Sequence, residues 1–211
     1  MPNHLLELYQ NLLAEFGPQN WWPAETEFEV VVGALLTQQT RWESVEQAIR
    51  NLKAESLITP DALAGADRGV IEECIRCTGF YRQKGERLQL LSQYFAENGL
   101  SEILAKPVDE LREELLSQKG VGPETADSII LYAAHKPVFV IDAYTKRICE
   151  CAGVTGGYDA LQQYFEESLP RDTHLYQEFH ALIVRCGKEY CTKKRCDECI
   201  IVASNPITAR V

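Results

Sequence analysis

The chain has 211 residues, of which 45% are hydrophobic and 25% are charged, a balance typical of globular proteins and not of disordered or fibrous ones. Its length allows one large domain or two small lobes that share a core. The formal net charge of −10 argues against a general nucleic-acid-binding protein, although a local basic patch would still permit binding.

Helical periodicity runs through nearly the whole chain. It begins with an amphipathic stripe over residues 5–13, which lacks the basic region of a secretory signal, and no apolar stretch has the length of a membrane span. We therefore expect a cytoplasmic protein that does not bind membranes. Linkers that carry Gly, Pro or Asn are short, and no strand hairpin is recognisable, so the sequence predicts an all-α fold. Further helices are predicted at 28–36, 42–52, 60–66, 70–77, 83–95 and 107–116.

The most informative segment is 115–148, which sets a Gly-Val-Gly turn between two helical patterns and places Asp142 after an apolar run. Glycine permits positive φ and a close approach of the backbone to a ligand. Acidic residues and Thr125 suit the start of the following helix, whose free N–H groups can bind an anion such as a DNA phosphate. The turn alone would also suit an ordinary packing element. Asp142 fits an N-cap position, where helix N–H groups would keep its carboxylate charged.

With Asp142 included, this segment resembles the helix-hairpin-helix and Gly/Pro…Asp motif of the endonuclease III superfamily of DNA glycosylases. The resemblance covers residues 25–200. It implies a six-helix lobe at 22–137, with the hairpin at about 111–134, and a second helical lobe formed by 1–21 and 138–211. It also implies that double-stranded DNA with a damaged, extruded base binds in the cleft between the lobes. We expect a monomer that associates with the nucleoid.

The resemblance implies roles for individual residues. Asp142 is expected to be the catalytic residue that serves cleavage of the N-glycosidic bond, by stabilising oxocarbenium charge or activating water. Gln39 is expected to fill the gap left by the flipped base, although a glutamine at a helix end can also act only as a cap. The other expected DNA-binding residues are Lys119, Gly120, Val121, Gly122, Thr125, Lys193, Lys194 and Arg195.

Four cysteines near the C-terminus have the spacing C-x4-C-x4-C-x2-C, and they are Cys186, Cys191, Cys196 and Cys199. Four soft thiolates so close together suit tetrahedral zinc or an iron–sulfur cluster. In the endonuclease III family this loop holds a 4Fe–4S cluster, so the resemblance implies one at 186–199, with zinc as the alternative. The family spacing is C-x6-C-x2-C-x5-C, however, and its last cysteine is missing here; Cys186 is the nearest substitute.

The other four cysteines form C-x2-C and C-x-C pairs without the βαβ context of a redox dithiol. We predict that they are buried structural thiols. They are Cys74, Cys77, Cys149 and Cys151. A basic face for DNA is predicted from Lys119, the basic loop 193–195 and other cations, which are Arg82, Lys84, Arg87, Lys136, Lys146 and Arg147.

Bifunctional members of the resembled family use a lysine in G-V-G-x-K-T-A to form a Schiff base with the sugar. The matching position here is Glu124, which cannot form an imine, so we predict a monofunctional glycosylase. Stretches at 21–23, 35–40, 79–84 and 118–120 are similar to the 3-methyladenine DNA glycosylase branch. That likeness implies an aromatic base pocket that would stack an electron-poor alkylated purine. Its candidate residues are Trp21, Trp22, Pro23 and Trp42.

The predicted function is therefore removal of alkylated bases of the 3-methyladenine type by base flipping and hydrolysis, in base excision repair. One alternative is an endonuclease III-like glycosylase and AP lyase that acts on oxidised pyrimidines. Another is a catalytically weak protein that binds damaged DNA. The tryptophans also suit ordinary packing between helices.

Overall fold

The computed structural model describes residues 4–199 and residue 201. It divides the chain into two compact units, one of them Ala24–Lys136 and the other Met1–Pro23 together with Pro137–Val211. Every regular element among the described residues is helical, so the predicted all-α class is confirmed there. In the same part of the chain, no helix has both the length and the apolar character needed to cross a bilayer.

The unit Ala24–Lys136 is built around two buried helices. In α2 (Glu27–Leu36), which Thr26 caps, every residue after the first is buried. The later helix α9 (Pro123–Tyr132) is buried from Thr125 onward and packs against α2. Helices that bury nearly all of their surface belong to a core. The unit has six further α-helices. These are α3 (Trp42–Ala54), α4 (Pro60–Gly65), α5 (Arg68–Cys74), α6 (Tyr81–Asn98), α7 (Leu100–Ala105) and α8 (Val108–Ser117).

Two features of this unit differ from the sequence prediction. The helix predicted at 70–77 ends at Cys74 and is followed by a 3₁₀ turn, because the Asn51 amide donates to the Cys74 carbonyl at 2.8 Å and satisfies the helix end. Helix α7 was not predicted. It has only six residues, too few for a periodic pattern to stand out.

Helices α8 and α9 form a helix-hairpin-helix. Arg112 of α8 donates to both carboxylate oxygens of Asp127 in α9, at 2.7 and 3.2 Å. Asp127 is completely buried, so this bidentate pair compensates a carboxylate that has left water. The turn between the helices reverses at Gly120, whose φ is +86°, and Pro123 occupies the first turn of α9. The predicted turn between two helices is confirmed.

The second unit is centred on α12 (Thr173–Cys186), which packs against α1 (His4–Phe16) and α10 (Ala143–Cys151). Helix α11 (Tyr158–Ser168) completes it, and a π-helical turn at Gly187–Cys191 continues α12. Its core is aromatic: Phe139 stacks on Phe165 with ring centroids 4.2 Å apart, and Phe179 packs edge-on against Phe139. This cluster anchors the extended segment that leads into α10.

Candidate functional site

The turn between α8 and α9 is tied to the loop that follows α2. The side-chain amide of Gln38 donates to the Gly120 carbonyl at 2.9 Å and to Thr125 Oγ1 at 3.0 Å. Arg87 donates to Gln38 Oε1 at 3.2 Å. Gln38 therefore fixes the hairpin turn against the loop, a role that the sequence analysis missed.

The predicted residues of the turn do not share one environment. Val121 and Thr125 are buried, so their part is to shape the turn. Lys119 is exposed, and its ammonium lies 2.5 Å from Glu86 Oε1. Any phosphate bound at the turn would meet backbone N–H groups and one lysine that already has a carboxylate partner.

A buried lysine holds the loop from the other side. Lys84 donates to the Leu36 carbonyl at 2.9 Å, to the Thr78 carbonyl at 3.0 Å and to Thr40 Oγ1. Burial lowers the pKa of Lys84 to about 8. The prediction that Lys84 contributes to a basic surface is wrong, because the residue is only 3% exposed.

This fixed loop presents the residue predicted to replace a flipped base. Gln39 is exposed and has a φ of +53°, a strained conformation for a non-glycine residue. Trp42, predicted to contact the base, is the first residue of α3 and half-buried, with its indole N–H donating to Glu46 Oε1 at 2.8 Å. Both residues belong to the unit Ala24–Lys136.

The other predicted aromatic residues belong to the other unit. Trp21 and Trp22 are half-buried, are joined by a cis peptide bond and have ring centroids 5.2 Å apart, while Pro23 is exposed. The segment is anchored where the Gln19 amide donates to the buried carboxylate of Glu178 on α12.

Asp142 is the N-cap of α10, as predicted. Its Oδ1 accepts from the Thr145 amide at 2.7 Å and from Thr145 Oγ1 at 2.8 Å. The positive end of the α10 dipole lies beside this oxygen. Only one of the two carboxylate oxygens takes part in this cap.

A histidine that sequence analysis missed lies beside Asp142. His180 of α12 is 5% exposed, and its Nε2 is 3.9 Å from Asp142 Oδ2. Burial lowers the pKa of His180 below its ordinary value of 6.5, and the opposing attraction to Asp142 is smaller. The imidazole is therefore neutral at neutral pH. The only sequence signal was a histidine in the apolar run of a helix, which is not distinctive.

The four clustered cysteines are only partly brought together. The sulfur atoms of Cys186 and Cys199 are 3.9 Å apart and buried, whereas Cys191 is half-buried and Cys196 is exposed. Within residues 4–199 and 201, no group of three or more His, Cys, Asp or Glu side chains is arranged to hold a metal ion. The donor chemistry fits a soft metal, but this arrangement does not by itself form a metal site.

The remaining cysteines correct a prediction. Cys74 and Cys149 are buried as expected, but Cys77 and Cys151 are exposed. Cys151 is the last residue of α10, and its thiol interacts electrostatically with those of Cys196 and Cys199. A fifth thiol therefore belongs to the neighbourhood of the predicted cluster.

The predicted basic DNA-binding loop is largely neutralised by its own acidic residues. Glu189 accepts from Lys193 and from Arg195, at 2.8 Å in each case, and Arg195 also pairs with Glu198 at 2.5 Å. Lys194 is exposed with a φ of +56°. These ion pairs are exposed and weak, so a phosphate can compete for both cations.

The sequence matches the family model of the HhH-GPD superfamily base excision DNA repair proteins over residues 32–171. A Methanocaldococcus jannaschii protein that is named, provisionally, as a DNA repair glycosylase is 48% identical over 205 residues, which are 93% of each chain. Endonuclease III of Thermotoga maritima is 30% identical over 200 residues, 92% of this chain and 89% of the relative.

Solved structures agree in fold. The H. pylori 3-methyladenine DNA glycosylase bound to 1,N6-ethenoadenine superposes with a TM-score of 0.79 at 31% identity, covering 89% of this chain and 97% of that one. An endonuclease III–DNA complex gives a TM-score of 0.80 over 96% of this chain and 94% of that one. At 20% identity, that second likeness shows the fold alone.

The hairpin turn gives a matched pair of substitutions. At Gly120, with φ +86°, an added Cβ would lie 2.2 Å from Arg87 Cδ, whereas at Gly122 nothing lies within 4 Å. We predict that Gly120→Ala lowers the free energy of unfolding by about 2–3 kcal/mol, through the left-handed backbone and the displaced Arg87. Gly122→Ala should cost less than ~1 kcal/mol, as an N-cap change. Equal losses in chemical denaturation would contradict this account of the turn.

Proposed function

Because the chain belongs to the HhH-GPD superfamily of base excision DNA repair proteins, we propose that it is a monofunctional DNA glycosylase that hydrolyses the N-glycosidic bond of alkylated bases. The observation that carries the proposal is the Asp142 carboxylate, which the start of α10 holds by one oxygen while the other stays out of the cap. A fixed negative charge beside the sugar stabilises positive charge that develops on it as the bond breaks.

The proposed hydrolysis uses this carboxylate and a water molecule. The water oxygen bonds to the sugar C1′, its proton passes to Asp142, and the base leaves with the electrons of the glycosidic bond. The family motif's lysine position holds Glu124, an exposed carboxylate at the start of α9. No amine is present at that position to form an imine with the sugar, which supports the absence of lyase chemistry.

Two observations bear on the substrate. The likeness to a 3-methyladenine DNA glycosylase at 31% identity, together with the W-W-P segment and Trp42, supports an alkylated purine. The likeness to an endonuclease III at 30% identity supports the rival assignment, a glycosylase and lyase for oxidised pyrimidines. The carboxylate at position 124 favours the first.

The proposal predicts excision from duplex oligonucleotides that each carry one lesion. Strands with 3-methyladenine should break only after hot alkali, and borohydride should not trap the protein on the DNA. Asp142→Asn should lower the single-turnover rate about 100-fold or more while DNA binding persists, because the amide keeps the cap and loses the charge.

Asp172→Asn is the matched control, since Asp172 caps α12 in the same way, through the Leu175 amide at 2.7 Å. It should keep the wild-type rate. Efficient trapping by borohydride, or a preference for oxidised pyrimidines, would favour the rival enzyme. DNA binding without excision of any lesion would favour a damaged-DNA-binding protein.

We propose that Trp42 contacts the excised base. Cation–π attraction to a charged purine is worth about 1–2 kcal/mol when desolvated, a factor of roughly 5–30 in rate. Trp42→Ala should therefore slow excision of 3-methyladenine by a larger factor than excision of neutral hypoxanthine, and Trp42→Phe should lose less. Equal losses on the two substrates would reduce the ring to a packing role.

We also propose that the thiols of residues 186–199 bind a 4Fe–4S cluster, with structural zinc as the alternative. The support is the donor set: Cys186 and Cys199 are in contact, and the Cys191 and Cys151 thiols interact electrostatically with Cys196 and Cys199. Contact with Cys199 and burial raise the pKa of the Cys186 thiol, a cost that a bound metal cation would reverse. The cluster would order this loop and takes no part in the hydrolytic step.

Purified anaerobically, the protein should contain iron and sulfide in equal amounts and absorb visible light. Cys196→Ala should lose most of the iron, whereas Cys77→Ala, an exposed thiol in the other unit, should keep it. Iron loss in Cys151→Ala but not in Cys186→Ala would make Cys151 the substitute for the missing family ligand. Colourless protein with one zinc per chain would establish the alternative, and protein without either metal would refute both.

A further inference from the structure

The two oxygens of the Asp142 carboxylate have different surroundings. Oδ1 accepts two hydrogen bonds from Thr145, which is fully buried. Oδ2 takes no part in the cap and faces Nε2 of His180 at 3.9 Å. Since Asp142 is fixed by the start of α10 and His180 by the middle of α12, this separation is set by the packing of two helices.

The separation between Nε2 and Oδ2 suits a shared water. It exceeds the range of a direct hydrogen bond, which ends at about 3.2 Å. A single water with hydrogen bonds of ~2.8 Å to each atom would subtend roughly 90° between them, which is acceptable for a water molecule. The Asp142 side chain retains 15% exposure, so the carboxylate borders solvent, while the Nε2 atom that faces it is buried.

The charge state of His180 allows this arrangement. Burial keeps the imidazole neutral at neutral pH, and a neutral imidazole can donate or accept at Nε2. A protonated histidine would instead pair directly with the carboxylate and weaken it as a base. A neutral imidazole forms no salt bridge with Asp142, so Oδ2 can accept a proton from water.

We propose that His180 and Asp142 Oδ2 together hold the water that attacks the sugar, which makes His180 a second residue of the hydrolytic site. The proposal rests on the proposed function. In the step, the water oxygen forms the bond to C1′ and the bond from C1′ to the base breaks. One water proton goes to Asp142 Oδ2, and the leaving base takes the bonding electrons, while His180 orients the water through Nε2 and undergoes no net change.

The test compares substitutions that keep or remove a polar atom near the Nε2 position. His180→Gln keeps one, and His180→Met has similar size without it. We expect His180→Met to lower the single-turnover excision rate about 30-fold or more, His180→Gln to lose less than ~10-fold, and DNA affinity to stay unchanged. His174→Gln, an exposed histidine on the same helix, is the control and should match wild type.

A purely structural role is separated from this one by combining substitutions. If His180 acts on the water that Asp142 activates, His180→Met should cost less than ~3-fold in an Asp142→Asn background, because the shared step is already lost. Multiplicative losses would overturn the proposal, as would a wild-type rate in folded His180→Met. Where His180→Met does not fold, His180→Asn replaces it, since the shorter amide does not reach the Nε2 position and should lose as much.

Failure of the role of His180 and failure of the proposed function give different results. A wild-type chain that excises bases, with Asp142→Asn inactive and His180→Met fully active, would remove the role of His180 alone. A wild-type chain that excises no lesion would remove the proposed function and this inference with it.

Discussion

The buried pair between Arg112 and Asp127 is the constraint on which the hairpin depends. Within the turn the Val121 amide donates to the Gln118 carbonyl at 3.1 Å, and the helices on either side hold the rest of it. Removing one partner of such a pair leaves an uncompensated buried charge, which costs about 3–5 kcal/mol. The geometry of α8 and α9 is thereby fixed below the turn. Gln38 connects the turn to the loop after α2 by its hydrogen bond to the Gly120 carbonyl, and Lys84 holds the far end of that loop. The hairpin turn and the loop that carries Gln39 therefore belong to one hydrogen-bonded network.

The two oxygens of the Asp142 carboxylate have different surroundings. As an N-cap it stabilises α10 by about 1 kcal/mol. A residue that was only a cap could be serine or asparagine without loss. The features that exceed the needs of a cap are the negative charge, the second oxygen and the neutral imidazole that faces it. These are the features that hydrolysis of a glycosidic bond would use.

The sequence predicted what local rules determine. Periodicity predicted the helical class, glycine spacing the turn, and the position of Asp142 its capping role, all confirmed in the described residues. It did not predict contacts between distant residues, such as Gln38 with Gly120 or Asp142 with His180. A single sequence, read without comparison to others, does not indicate which distant side chains come into contact. Lys84 was misplaced for the same reason: a lysine is normally exposed, and only three distant oxygen partners make its burial acceptable.

The net charge of −10 and DNA binding are reconciled by where the cations lie. Lys119, Lys193 and Arg195 are each paired with a carboxylate in exposed positions, so a phosphate can replace that carboxylate at little cost. Pairing of this kind lowers the long-range attraction to DNA and leaves the short-range contacts available. A repair enzyme must inspect many undamaged bases for each damaged one, and a weakly attractive surface favours release from them. Affinity would then depend on the oriented N–H groups of the hairpin and on the base that enters the site, both of which act only at close contact.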